Sequence, residues 1–598
     1  MKLKIKRILK KIRIRYKRRK IAKVRKFFRI LLKNSLKSYS FWIFLFFIIL
    51  AIVYTWPLAE HFNSSIIGQA DFTDGPFFLW NLWWVKKALF SFSNPYFTNF
   101  TYFPAKVNLS LHTLTVGRAV ISIPFQFFFS LITVNNIIQI LSITFSGFGT
   151  YLLVRYLTRN KIAGMISGII FAFSPFVWSH LLAGHINLGD LWVIPFATLF
   201  WFKMLRRRRW TDTIWAGLFF SIACHNDLQI AFYLAILLFI IFVFELMFSF
   251  KNMISKPNLI RYAIFVGVWI TLFLLPYFSP WYEFWGKVSH EVTYNNADLR
   301  SYFMLNPLNP YLGRENLDYI KGLLGGYREN TLALGYGTMI LALFAIILIK
   351  RNWQEKIIFL FCAIVFWLLS LGPYLQIGNT ISGARLPFWW IQELPFLSVG
   401  VVPTRFILVT YFSLAILAGF AIDKIYSWFG KTMLWQSVFA IILIIIVGAV
   451  SFEYWSGPMM LTSLEPNSKL LEIIKKDKGN FTVLPAATGS RGGYFQTKFD
   501  KLVVSGYLGR RIHDYYLGEY ENYPGVRIIA HNNYDIARRE DFDRVKVLKS
   551  FKSLKIKYIY IDKNWVNGDK VEESRKYLEN NIGLHPYKED KFIILYKI

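Results

Sequence analysis

Residues 116–134 read VGRAVISIPFQFFFSLITV. The run is nearly as long as the ~20 apolar residues that cross a bilayer. It also contains Arg118, Pro124 and Gln126, and residues 125–129 hold four phenylalanines. Whether it crosses decides the orientation of everything after it. Apolar runs of spanning or near-spanning length begin near Ser40, Val116, Asn136, Lys161, Leu188, Thr211, Leu228, Leu259, Leu332, Lys356, Arg405 and Met433. If every run crosses, Arg155, Arg159 and Lys161 lie outside and each later loop is inverted, against the cytoplasmic bias of Lys and Arg. If 116–134 lies in the outer interface, or dips in and returns, the basic loops 155–161, 206–209, 251–261, 350–356 and 424–431 all become cytoplasmic. The chain then reads as a polytopic α-helical membrane protein of about eleven spans, with its N-terminus inside and its C-terminus outside.

Composition agrees. Of 598 residues, 55% are hydrophobic and 19% aromatic, and mean hydropathy is +0.37. The two cysteines, Cys224 and Cys362, lie in apolar runs and build neither a disulfide framework nor a zinc motif. About half of the net charge of +35 precedes Ser40, in a stretch without acidic residues. Such a tail suits nucleic acid in other settings. Ahead of a span it suits the anionic cytoplasmic leaflet, at ~1 kcal/mol per Lys or Arg, and no nucleic-acid partner is expected. The divisions are a basic cytoplasmic tail (1–39), a transmembrane domain (40–456) with outer loops 59–135 and 281–331, and a C-terminal domain (457–598). In the last part, strand-like runs (FTVLPA, KLVVSGY, IKYIYID, FIILYKI) alternate with helical ones, which predicts a small extracytoplasmic α/β domain. Its GSRGG stretch (489–493) lacks the strand-to-helix pattern of a phosphate loop and reads as a flexible loop.

This threading puts the chemistry outside. The first outer loop reads GQADFTDGPFFLWNLWWVKKALF (68–90). Asp71 and Asp74 stand before a helix rich in Trp, the residue that anchors interfacial helices. Asp74 followed by Pro76 also has the form of a plain N-cap. His112, His180, His185, His225, Asp227, Arg328, Glu329 and Arg405 gather on the same side. A polar group at that depth is costly and lines a cavity or pathway. His and Asp groups admit a divalent metal, but no His-x-x-His or His-Glu-x-x-His spacing specifies one, and no other cofactor is indicated.

With Asp71-Phe72-Thr73-Asp74, the aromatic helix Phe77 to Trp84 and the non-spanning run 116–134, the chain resembles the GT-C superfamily of membrane glycosyltransferases. It is also similar to bacterial multi-pass proteins with a C-terminal extracytoplasmic domain, through Tyr102-Phe103-Pro104, His112-Thr113, Pro403 to Phe406 and Tyr494 to Thr497. The resemblance spans about Ser40 to Glu453. It implies transfer of a sugar from a polyprenyl-phosphate-linked donor to a glycan, lipid or protein acceptor outside the cytoplasmic membrane. An acidic residue of the first outer loop would be the base. The usual adjacent acidic pair is spread here to Asp71 and Asp74, and Asp74, next to the Trp-rich helix, is the favoured member. Arg405, Arg118 and Arg328 are candidates for the leaving phosphate, and Arg405, which starts a span at headgroup depth, is preferred. His112, His185, His225, Asp227 and Glu329 are candidates for donor or substrate contacts. A lipid-linked sugar flippase or transporter would instead need polar groups through the whole bundle and repeat symmetry. A non-catalytic anchor for the outer domain would need no Asp and His cluster.

Overall fold

Polar residues between apolar runs set the helix ends. Ser130 Oγ accepts from Thr133 N at 3.2 Å and opens the helix Leu131–Thr158. Arg159 turns the chain with φ 65°, and Asn160 Oδ1 accepts from Ile162 N (2.9 Å) and Ala163 N (3.2 Å) to start Lys161–Ala172. The two helices therefore form a tight antiparallel hairpin, and Tyr39–Tyr54 packs into it through small residues. A Cβ at Gly168 would lie 2.5 Å from both Gly147 O and Phe47 Cζ. Backbones this close require glycine, as in other apolar helix bundles. Gly168→Ala is expected to destabilise the folded protein by about 1–3 kcal/mol, read as a lower melting temperature in detergent. An unchanged melting temperature would contradict the close approach.

The computed structural model describes residues 38–69, 74–207, 209–284, 296–323, 326–348, 351–392, 402–429, 433–464, 468–486, 489–509, 516, 518–531, 543–564 and 568–598. Asp71 and the basic tail up to residue 37 lie outside the described residues. Among the described residues, seven helices are long and apolar enough to cross a membrane: Leu131–Thr158, Lys161–Leu182, Leu228–Met253, Lys256–Glu283, Trp353–Ser370, Pro403–Phe429 and Leu434–Tyr454. Helices also stand at the other four expected spans, but they are short: Tyr39–Tyr54, Val193–Arg207, Trp210–Asn226 and Tyr336–Leu348. The protein is thus a mostly helical membrane protein.

Residues 116–134 do not form one helix. Val116–Ser122 is helical, a 3-10 turn at Phe125–Phe127 follows Pro124, and the long helix begins at Leu131. Pro124 supplies no N–H to continue the ladder. The turn exposes Phe128 (81%) together with Phe127 and Phe129, beside the exposed Phe90, whose ring meets that of Phe127.

From residue 468 onward helices pack on a five-stranded mixed sheet. Its order is Pro586–Glu589, Ile593–Lys597, Ile556–Asp562, Thr482–Ala486, Leu502–Val503. The first two pairings are antiparallel and the last two parallel. A separate antiparallel pair joins Ser65–Ile67 to Leu461–Ser463, which fixes the first loop against the start of this segment. The helix Gly75–Phe90 lies between bundle and sheet segment. Trp80 and Trp84 are both 5% exposed, so they fill a protein interface. Trp80 Nε1 donates to Gln496 Oε1 at 2.7 Å, and Trp84 Nε1 to Pro95 O at 2.9 Å. This corrects the reading of the tryptophans as lipid anchors: Trp80 is covered by sequence some 400 residues downstream and Trp84 by Pro95 and Phe100, and the exposed aromatic side chains between Gly75 and Ser130 are phenylalanines.

A candidate active site around Asp74

Asp74 stands at the N-terminal end of Gly75–Phe90, yet its side chain makes no capping bond. Its backbone N–H donates to Ala183 O at 3.4 Å, so the carboxylate is carried next to the loop after Leu182. Tyr507 OH donates to Asp74 Oδ1 at 2.9 Å, and His185 Nε2 lies 3.6 Å from Oδ2. A third of the Asp74 side chain is open. Burial raises its pKa above the ordinary carboxylate value. The Tyr507 hydroxyl and the Arg405 and Arg328 charges pull the other way without cancelling that rise. The result is a partly exposed carboxylate of raised basicity.

The network continues behind it. His180 Nδ1 and His185 Nδ1 are 2.9 Å apart, and the rings stack at 5.2 Å. His180 Nε2 lies 3.6 Å from Glu329 Oε2. Glu329 accepts from Arg405 Nη2 (2.7 Å) and Nε (3.2 Å), and from Thr404 Oγ1 (2.6 Å). Arg405 Nη1 donates to Gln229 Oε1 at 3.2 Å. Burial alone would raise Glu329, but the Arg405 guanidinium, with the Thr404 hydroxyl, holds it well below the carboxylate range. Burial, reinforced by Arg405, lowers His185 to about 4, so its ring is neutral near pH 7. The facing Nδ1 atoms, at hydrogen-bond distance, hold one proton between them. If His180 supplies it, His185 keeps an Nε2–H toward Asp74. If His185 supplies it, His180 keeps an Nε2–H toward Glu329.

Of the sequence candidates, the structure brings together Asp74, His185, Glu329 and Arg405. Arg328 is near, with Nε donating to Tyr327 OH at 3.3 Å and the guanidinium over the Tyr327 ring. Asp227 stands one layer back. Its Oδ1 caps Leu228–Met253 and its Oδ2 accepts from Asn187 Nδ2 at 2.7 Å. His112 is held by protein on both nitrogens: Gly509 N donates to Nδ1 (3.1 Å), so Nε2–H faces Asn81 Oδ1 (3.1 Å). His112 therefore ties the first loop to the C-terminal segment. His225 is not gathered in. Its Nδ1 meets Tyr96 OH at 2.8 Å and its Nε2 meets Leu272 O at 2.9 Å, a carbonyl in the π-turn Ile270–Leu274. Arg118 is corrected as a phosphate ligand. It is 1% exposed and neutralised by Asp190 at 2.7 Å, which also accepts from Ser142. The ion pair meets the desolvation cost of that buried cation, leaving no free charge for a ligand.

Sequence reasoning missed Tyr507, Gln229 and Thr404 as members of the network. A tyrosine 433 positions from Asp74 carries no local signal. Among the described residues, no group of three or more His, Cys, Asp or Glu is placed to hold a metal ion.

Solved structures share this architecture. The apo oligosaccharyltransferase of Archaeoglobus fulgidus superposes with TM-score 0.53 at 14% identity, covering 91% of this chain and 72% of that one. The mycobacterial arabinofuranosyltransferase AftD superposes with TM-score 0.54 at 11% identity, covering 93% of this chain and 40% of AftD, so this chain spans two fifths of AftD's length. At these identities the likeness is one of fold, and the fold is that of the GT-C membrane glycosyltransferases. No curated protein matches by sequence. The model of one family, a domain of unknown function (DUF6311), matches residues 120–450, more than half of the chain, and the chain belongs to that family.

Proposed function

We propose that the protein is a membrane glycosyltransferase that moves a sugar from a polyprenyl-phosphate-linked donor to an acceptor outside the cytoplasmic membrane, with Asp74 as general base. The observation that carries this reading is the state of Asp74: partly open, of raised basicity, and held by Tyr507 and His185 beside two arginines. Asp74 takes the proton of the acceptor hydroxyl as its oxygen attacks the anomeric carbon. The bond from that carbon to the phosphate oxygen breaks, and the lipid phosphate leaves with the bonding pair. Positive potential from Arg328 and from the Arg405 side of its ion pair favours the leaving charge. Of the two, Arg405 acts the more strongly on Asp74, although it is paired with Glu329. Asp71 remains the second candidate base.

Topology supports an outward site. Eleven crossings with 116–134 excluded leave ten helices between the first loop and Leu461. An even number returns the chain to the same side, as the pairing of Ser65–Ile67 with Leu461–Ser463 requires. In this reading the N-terminus is cytoplasmic, residues 457–598 form the outer α/β domain that presents the acceptor, and Phe90, Phe92 and Phe127–Phe129 sit at the outer interface.

The test is a panel of labelled polyprenyl-phosphate sugars given to the purified protein in liposomes. Transfer or donor hydrolysis is the expected result. Movement of intact donor across the bilayer without turnover would overturn it in favour of a flippase. The site also has a pH signature. Asp74 must be ionised to act, so activity rises with pH through its raised pKa. Tyr507→Phe removes a hydrogen bond that stabilises the carboxylate, so the acidic limb of the kcat/KM profile should move to higher pH. An unmoved limb would separate Tyr507 from the base.

A further inference from the structure

At the end of the bundle where the basic loops gather, the C-terminal ends of Leu131–Thr158 and Val193–Arg207 enclose a cleft of 440 Å³. Arg155, Arg159, Lys203 and Arg207 line it. Its wall is apolar, formed by Leu152, Phe196, Leu199 and Phe200 with Tyr156. Cations are expected at helix C-termini and on the cytoplasmic side, which accounts for their presence but not for the cleft they surround. Neighbouring Arg206 shows what a purely structural cation does here: it bridges Glu355 at 2.8 Å and Glu245, tying three helices together. Among the described residues, none of the four lining cations has a carboxylate within ion-pair distance. Asp212 is the nearby acidic group whose field reaches Lys203. Three of the cations lie over aromatic rings, Arg207 on Tyr156 (4.6 Å), Lys203 on Phe200 (4.5 Å) and Arg155 on Tyr151 (5.9 Å). Arg155 is held by Ser40 Oγ (2.9 Å) and Tyr151 OH (3.2 Å). The stems are thus supported while positive charge collects on one apolar cleft.

We propose that this cleft binds an anionic phospholipid of the surrounding leaflet, its phosphodiester among Arg155, Arg159, Lys203 and Arg207 and one acyl chain along Phe196, Leu199 and Phe200. Charge complementarity selects an anion, and the apolar wall selects a lipid over free phosphate. The site stands at the opposite end of Val193–Arg207 from the loop that carries His185, so it is separate from the Asp74 site.

The full-length protein, delipidated in neutral detergent, is titrated with phosphatidylglycerol or phosphatidylcholine and observed by native mass spectrometry. Phosphatidylglycerol should be retained in preference to phosphatidylcholine, and excess inorganic phosphate should not displace it. Arg159→Gln with Arg207→Gln should lower phosphatidylglycerol affinity about fivefold for each cation removed. Leu199→Trp keeps every charge but fills the wall, and should also weaken binding. Melting temperatures of all variants show that they remain folded. Equal retention of the two lipids, or unchanged affinity in a folded double variant, would overturn the proposal. Displacement by phosphate alone would reduce the cleft to a simple anion site and overturn its lipid character.

Discussion

Asp74→Asn is expected to abolish most sugar transfer, lowering kcat by about 10²–10⁴-fold while KM stays close to wild type. That range is what a positioned proton acceptor contributes. The amide is isosteric with the carboxylate and still accepts from Tyr507 OH at Oδ1, so the loop geometry is kept. What is lost is the ability to take a proton from the acceptor hydroxyl. Asp74→Glu keeps a carboxylate but moves it by a methylene, and should recover part of the rate. Asp71→Asn, assayed alongside, decides between the two acidic residues of the loop. With Asp74 as base, Asp71→Asn keeps most of its activity. A wild-type rate in Asp74→Asn and a collapse in Asp71→Asn would move the base to position 71.

The second large effect is on stability. Glu329→Gln should destabilise the fold by about 3–5 kcal/mol, the range for removing one partner of a buried ion pair. Both side chains are largely buried (Arg405 17%, Glu329 11% exposed), and the Arg405 charge would face only neutral oxygens, those of the new amide and of Gln229, at hydrogen-bond distance. Thr404 and His180 lose a charged neighbour at the same time. Arg405→Met added to Glu329→Gln removes the stranded charge and should recover a large part of the loss, which a double-mutant cycle measures. Additive losses would mean that the two groups do not depend on one another. The pair should also be insensitive to pH across the neutral range. The folded-state pKa of Glu329 lies below its ordinary value. Its stabilisation is therefore present above the ordinary carboxylate range and is lost only in strong acid.

How far such a site can be read from sequence depends on the range of the interactions. Asp74 is legible because an acidic residue between Trp56-Pro57 and an aromatic helix has few structural uses. The missing cap bond shows that capping is not its role. Arg405 and Glu329 are legible as charges at the ends of apolar runs, but not as a pair, because nothing local joins positions 76 apart. Arg118 shows the converse. A cation in an apolar run signals either function or a hidden partner, and here Asp190, 72 residues on, is that partner. The Trp-rich helix was open to two readings because an aromatic face packs equally well on lipid or on protein. The covering surface comes from Gln496 and its neighbours, far downstream. Helix positions follow hydropathy closely, whereas four helices fall short of spanning length because polar ends such as His225-Asn226 and Arg206-Arg207 stop the runs early. The family match over 120–450 takes in Glu329 and Arg405, while Asp74 and Tyr507 lie outside it. The proposed base and the tyrosine hydroxyl bonded to it thus come from the two flanks that the Ser65–Ile67 and Leu461–Ser463 strands hold together.

The central claim is that Asp74 drives cleavage of a lipid-linked sugar. It is tested most directly by measuring release of polyprenyl phosphate from a labelled donor, for wild type and Asp74→Asn side by side in liposomes, at matched amounts of folded protein. Release by wild type and its near-complete loss in Asp74→Asn is the predicted result. Equal release by both proteins would contradict the claim.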